Sequence, residues 1–143
     1  MKIHIVTVGK PKFDYAKAGW NEYLPRLERR HSVRVTHLAD RFADDAKKLL
    51  DTTEGSFRVV LEIKGRGFSS EELAAFLRER ELAGQEISFT IGGPEGLPAD
   101  FIRQADLAWS FSRLTFPHDL AMIVLLEAIY RADSINNGQP YHK

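Results

Sequence analysis

Apolar and polar positions along the chain switch repeatedly between strand and helix periods. Lys2 to Val8 alternates and is rich in β-branched residues, which predicts a strand. Phe13, Ala16, Trp20, Tyr23, Leu24 and Leu27 then follow the i, i+3, i+4 spacing of an amphipathic helix. Val33, Val35 and Leu38 predict a second strand, and Phe42 to Leu50 a second helix ending near Gly55. Phe57 to Ile63 is a mostly apolar third strand, as expected of a parallel strand buried on both faces. Ser69 and Glu72 form a capping-box pattern opening a helix that carries Leu73, Phe76, Leu77 and Leu82 and closes at Gly84. Glu86 to Ile91 predicts a fourth strand. Pro98 suits the first turn of a short helix through Ala105. Leu107 to Ser112 reads as a fifth strand, and Asp119 to Ala132 as the final helix.

Strand–helix alternation from end to end predicts one α/β domain over residues 1–143, with a mainly parallel sheet and helices on both faces. In such sheets ligands sit beyond the carboxyl ends of the strands. Three loops fall there: KGRG (Lys64 to Gly67), GGPEG (Gly92 to Gly96) and SRLTFP (Ser112 to Pro117). The last helix is unusual, because Leu120 to Tyr130 is apolar nearly all round and must bury two faces. A second copy of the chain in a symmetric dimer would cover the extra face; a central helix covered by its own chain would do the same. Within that run, Glu127 and Arg131 are four apart, the spacing of a helical ion pair.

Composition narrows the chemistry. With no cysteine there is no disulfide, thiolate zinc site or cysteine nucleophile, and a reducing, cytoplasmic setting is expected. The opening segment has no cleavage site and reads as a strand; no run is long and apolar enough to span a membrane. Twenty basic and twenty acidic residues cancel, so nucleic acid would not be held by bulk charge. Four arginines crowd Arg26 to Arg34, either a local RNA patch or a solvated helix end. None of His4, His31, His37, His118 and His142 has metal-ligand spacing, and no metal is expected. His118, at the mouth of the last helix, could cap it or face a ligand, and capping is the expectation. Gly92 and Gly93 follow a strand directly. They allow either a ligand's close approach or a tight turn with Pro94, and they fit no phosphate-loop or dinucleotide pattern. That pattern's absence also counts against a flavodoxin-like nucleotide binder.

The segments LEIKGRGFSSEELA, FTIGGPEGL, SFSRLTFPH and AIYRADSINNGQPYHK, with the opening MKIHIVTVGK, resemble the pseudouridine N3-methyltransferases of large-subunit ribosomal RNA, minimal members of the SPOUT superfamily. The resemblance spans the whole chain and is weakest from Ala39 to Ser56. It implies a C-terminal trefoil knot, which general topology rules would argue against. It also implies a homodimer with its active sites at the interface, S-adenosyl-L-methionine as cofactor, and ribosomal RNA in the assembled ribosome as substrate. The cofactor positions it implies are Leu61, Gly92, Phe111, Ser112, Arg113, Leu114, Thr115 and Phe116. Those for catalysis are His142, as base or substrate orienter, and Arg131, as stabiliser of an imide anion. Base chemistry is needed because N3 of a pseudouridine carries an imide proton and is a poor nucleophile until it is lost. The same resemblance leaves open another RNA target, such as transfer RNA, and a non-catalytic ribosome-binding role.

Overall fold

The computed structural model describes residues 1–143. Five strands form one fully parallel sheet: β1 (Lys2–Val8), β2 (Ser32–Leu38), β3 (Phe57–Gly67), β4 (Ile87–Ile91) and β5 (Leu107–Ser110), in the order β2-β1-β4-β3-β5. Five α-helices connect and cover them: α1 (Asp14–Glu28), α2 (Ala46–Thr52), α3 (Ser70–Ala83), α4 (Ala99–Arg103) and α5 (His118–Asn136).

The two faces of the sheet carry separate cores because alternate residues of a strand point opposite ways. On one face Ile3, Ile5, Val59, Ile87 and Phe89 join Trp20, Leu77, Leu125 and Ile129 from α1, α3 and α5. On the other face Val6, Val8 and Val60 meet Leu49, Leu97 and Phe101 under α2 and α4. β1 and β4 are buried along almost their whole length and hold the centre.

Several boundaries differ from the periodicity. The segment expected as one helix from Phe42 divides into a single 3-10 turn, Asp40–Phe42, and α2, which starts three residues after Ala43 with Asp45 accepting from the Lys48 amide. Pro98 stands just before α4 as its cap residue. β5 stops at Ser110, and α5 continues a full turn past Ala132 to Asn136. The largest correction concerns KGRG. It is strand, not loop: β3 runs on to Gly67, with a register break after Leu61 beyond which Arg66 pairs with Trp109 and Gly67 with Ser110. Gly65 makes this possible, since a Cβ there would lie 2.6 Å from the Ala108 backbone. The capping box at Ser69 and the left-handed Gly84 behave as expected. Three of the four arginines in the arginine-rich segment are tied up in pairs, Arg26 with Glu22, Arg30 with Asp133 and Arg34 with Glu86, while Arg29 is exposed. No helix is long and apolar enough to cross a membrane.

Candidate functional site

A cavity of about 190 Å³ opens at the carboxyl ends of β4 and β5 and beside the register break in the middle of β3, three strands adjacent in the sheet. β3 delivers Leu61, Glu62 and Ile63 just as its register breaks away from β5. β4 ends at Ile91 and hands over to Gly92 and Gly93. Trp109 to Ser112, then Leu114 to Phe116, form the far wall, and His118 and Ala121 at the start of α5 close the back.

Local chemistry shapes each wall. The turn after β4 is tight: Gly96 donates its amide to the Gly93 carbonyl at 2.9 Å, and Gly92 lies so close that a Cβ would meet the Gly96 backbone at 2.7 Å. Close packing of the turn against itself is therefore the use this fold makes of Gly92. The stretch after β5 is ordered by two serines. The Ser110 hydroxyl donates to the Ser112 carbonyl (2.9 Å), and the Ser112 hydroxyl accepts from the Leu114 amide (3.0 Å). Phe111 packs edge-on to Trp109, 4.9 Å between centroids. Leu114 remains 71% exposed at the mouth, an apolar side chain left for something else to cover.

His118 does not cap α5; Pro117 occupies the cap position and no side chain caps the helix. His118 contributes to the cavity lining, while its Nε2 is buried without a partner on the side of Gly9. Beneath it lies His37, whose Nδ1 is 2.5 Å from the Thr7 hydroxyl. Burial, then the charges of Lys10 and His118, lower the pKa of His37. The neighbouring Asp119 is buried and accepts the Lys12 and Phe13 amides, both at 2.7 Å, fastening the β1–α1 turn to the cavity's back wall.

Of the expected cofactor positions, Leu61, Gly92, Phe111, Ser112, Leu114, Thr115 and Phe116 line this one cavity, while Arg113 turns outward and is exposed. Glu62 and Ile63 also line it and were not singled out by the sequence; His118, weighed there as a cap or a ligand-facing residue, lines it too. Arg131 and His142 are elsewhere. They lie ten residues and more beyond Ala121, which places Arg131 about 15 Å along the α5 axis from the cavity wall.

There they form a second cluster. Arg131 donates from Nε to Glu127 at 2.9 Å, and its Nη1 is 3.1 Å from Nδ1 of His142. Nε2 of His142 is 2.8 Å from Glu71 of α3. The Tyr141 hydroxyl donates to Glu127 (3.0 Å) and lies 3.1 Å from the Tyr23 hydroxyl of α1. The tail thus bridges α1, α3 and α5. Burial, then hydrogen bonds to Tyr23 and Glu127, raise the Tyr141 phenol well above its ordinary value. The bond to Glu127 and its charge likewise outweigh burial at Arg131 and raise its guanidinium. At Glu71 a backbone hydrogen bond and then His142 lower the carboxyl.

A model of the family described as "Predicted SPOUT methyltransferase" matches residues 1–142. Among named proteins, the chain is 43% identical to the Ribosomal RNA large subunit methyltransferase H of Deinococcus radiodurans, over all of this chain and 99% of the relative. It is 43% identical to the protein of the same name from Deinococcus deserti and 42% to that from Carboxydothermus hydrogenoformans, each over the full length of both chains. With similarity sustained from the first strand through the bridging tail, and a strand-end cavity in place between them, the chain belongs to the SPOUT methyltransferase family.

Proposed function

We propose that this protein is a homodimeric methyltransferase that uses S-adenosyl-L-methionine to methylate N3 of a pseudouridine in large-subunit ribosomal RNA, acting on the assembled ribosome. The observation that carries the reading is the single cavity uniting Leu61, Gly92, Ser112, Leu114 and Phe116 in a chain similar along its whole length to named ribosomal RNA methyltransferases.

The cavity residues fit an adenosyl cofactor. Leu61, Ile91, Leu114 and Phe116 offer apolar surface for a flat base, and the glycine turn offers bare backbone. Glu62 adds negative charge beside a cationic sulfonium. When bound, S-adenosyl-L-methionine supplies an electrophilic methyl group.

His142 and Arg131 act on the target base. An imide edge reads O=C–N–H, an acceptor beside a donor. Arg131 keeps N–H groups free for the imide oxygen, while Nδ1 of His142 accepts from Arg131 at 3.1 Å, a contact that the imide N–H has to displace to reach the ring. In this reading His142 takes the N3 proton and Arg131 steadies the charge spreading onto the adjacent oxygen. A positioned base contributes roughly 10²–10⁴-fold.

The 15 Å separation argues that the two halves of each site come from different subunits. On α5, Leu120, Val124 and Ala128 leave part of the apolar surface uncovered by the chain's own helices, and Leu120 is 37% exposed. An antiparallel pairing of two α5 helices about their midpoint would set Arg131 of one opposite Ile123 of the other, about 3 Å along the axis from Ala121. A single domain spanning 1–143 with the family's C-terminal trefoil knot completes the reading. Zero net charge suits a substrate recognised by the shape of a large particle rather than a basic face.

The test combines mass spectrometry with mutation. Ribosomal RNA from a strain lacking the protein should lose one methyl group on a pseudouridine; a methyl lost from transfer RNA instead would redirect the target. His142→Ala should abolish most turnover and leave cofactor affinity, by calorimetry, nearly unchanged. Loss of cofactor affinity would move His142 out of the base role.

A further inference from the structure

β3 carries an insertion where it passes the cavity. Leu61 and Arg66 both stand opposite Trp109 of β5, so the four residues between them have no partner on that strand. On its other side β3 last pairs at Val60, with Thr90 of β4. The extruded segment returns at Gly65, where a Cβ would lie 2.6 Å from the Ala108 backbone. Bulges beside a site commonly re-aim a side chain. Here Glu62 and Ile63 are carried into the cavity lining, while Lys64 is left exposed.

Glu62 is the only acid in that lining. No lysine or arginine stands there, and His118 is the one other ionisable side chain. The carboxylate is half-buried, and its one hydrogen bond is long, 3.4 Å from the Lys64 amide to Oε1. Arg113 is exposed, and Arg131, the cation a second subunit would bring, is already paired with Glu127 at 2.7 Å. The hollow therefore holds a carboxylate without a counter-ion. Such a charge is costly to cover, and a cation entering beside it is stabilised. S-adenosyl-L-methionine has a carboxylate, an ammonium and a sulfonium, and so one net positive charge. S-adenosyl-L-homocysteine, the thioether that methyl transfer leaves, lacks the sulfonium charge and is neutral overall.

We propose that Glu62, presented by the β3 bulge, makes the cavity select the cationic cofactor over its neutral product, so that the loss of charge on methyl transfer loosens what remains. This rests on reading the cavity as the cofactor site. With the cofactor in place the charges balance; with the product in place Glu62 is again uncompensated. The apolar walls and the glycine turn carry no charge, so discrimination on that ground falls to the carboxylate.

The experiment is calorimetric titration of the full-length protein as wild type, Glu62→Gln and Glu62→Asp. The ligands are S-adenosyl-L-methionine, S-adenosyl-L-homocysteine, and sinefungin, an unreactive analogue whose ammonium-bearing carbon keeps a positive charge where the sulfonium was. The wild type should bind both cations about tenfold or more tighter than the product, the scale of one charge pair in a half-exposed site. Glu62→Gln should weaken both cations about tenfold and leave the product within about twofold, and Glu62→Asp should keep the preference. In turnover on ribosomes, the ratio of product Ki to cofactor KM should fall about tenfold in Glu62→Gln. Equal losses for all three ligands would put the carboxylate on a group they share, such as the ribose diol or the α-ammonium, and overturn the proposal. A loss confined to S-adenosyl-L-methionine, with sinefungin unaffected, would show that the methyl group and not the charge is read, and overturns it too. If the wild type binds none of the three, the cofactor reading itself falls. If it binds all three and Glu62→Gln matches it, only the role of Glu62 falls.

Discussion

Replacing Gly92 by alanine would push a methyl group into the backbone of its own turn. The added carbon would lie 2.7 Å from the Gly96 carbonyl carbon and 2.9 Å from its oxygen, where ordinary contact begins at 3.4 Å. Relieving the first contact needs a movement of 3.4 − 2.7, about 0.7 Å, and neither partner is a flexible side chain. Overpacking of this kind costs about 1–3 kcal/mol. For a chain of this size that corresponds to a fall in Tm of roughly 3–12 °C. The functional cost should be larger, since Gly92, Gly93 and Gly96 all line the cavity and belong to one hydrogen-bonded turn. Misplacement near 1 Å costs about 10²-fold when groups must be aligned. Calorimetry with S-adenosyl-L-methionine and a thermal melt read both quantities. Gly67→Ala is the control: its added carbon meets nothing within 4 Å and its backbone is not in the left-handed region, so it should melt and bind as wild type. Wild-type cofactor affinity in Gly92→Ala would refute the claim that the packed turn sets the cavity wall.

Two further outcomes concern stability. Asp119→Ala strips the acceptor from the Lys12 and Phe13 amides and should cost about 1–3 kcal/mol in urea unfolding, with faster hydrogen exchange at those two amides; unchanged exchange would show that the clamp is idle. Asp133 is buried, and burial alone would raise its carboxyl, but the hydrogen bond and charge of His31, with Arg30 beyond, hold it below its ordinary value. A depressed carboxyl contributes stability above its unfolded pKa of about 3.9 and loses it as pH falls through the lower folded value. Asp133→Asn should therefore flatten the acid limb of a stability–pH profile, and a profile parallel to wild type would contradict the assignment.

The sheet was legible because each strand carries either alternation or a β-branched run, and the α3 boundaries because Ser69, Glu72 and Gly84 act through local chemistry that needs no tertiary context. KGRG misled because Lys64, Gly65 and Arg66 look like turn residues. Only the Ala108 backbone, more than forty positions away, gives Gly65 its reason. His118 was misread for a similar cause: a proline already held the cap site, and what the ring faces is set by β1 and β2. The positions gathered at the cavity came from family resemblance; periodicity by itself located the strand ends and nothing finer. Glu71 gave no signal at all, since an acid in the first turn of a helix is what the helix dipole favours anyway.

The larger core joins Ile3 and Ile5 of the first strand to Leu125, Ile129 and Ala132 of the last helix. Until α5 leaves the ribosome, that side of the sheet is covered only by α1 and α3, and the apolar surface that meets Leu125, Ile129 and Ala132 stays open. Completion of the larger core therefore waits for the last helix, so its closing contacts are long-range ones, of the kind that form slowly.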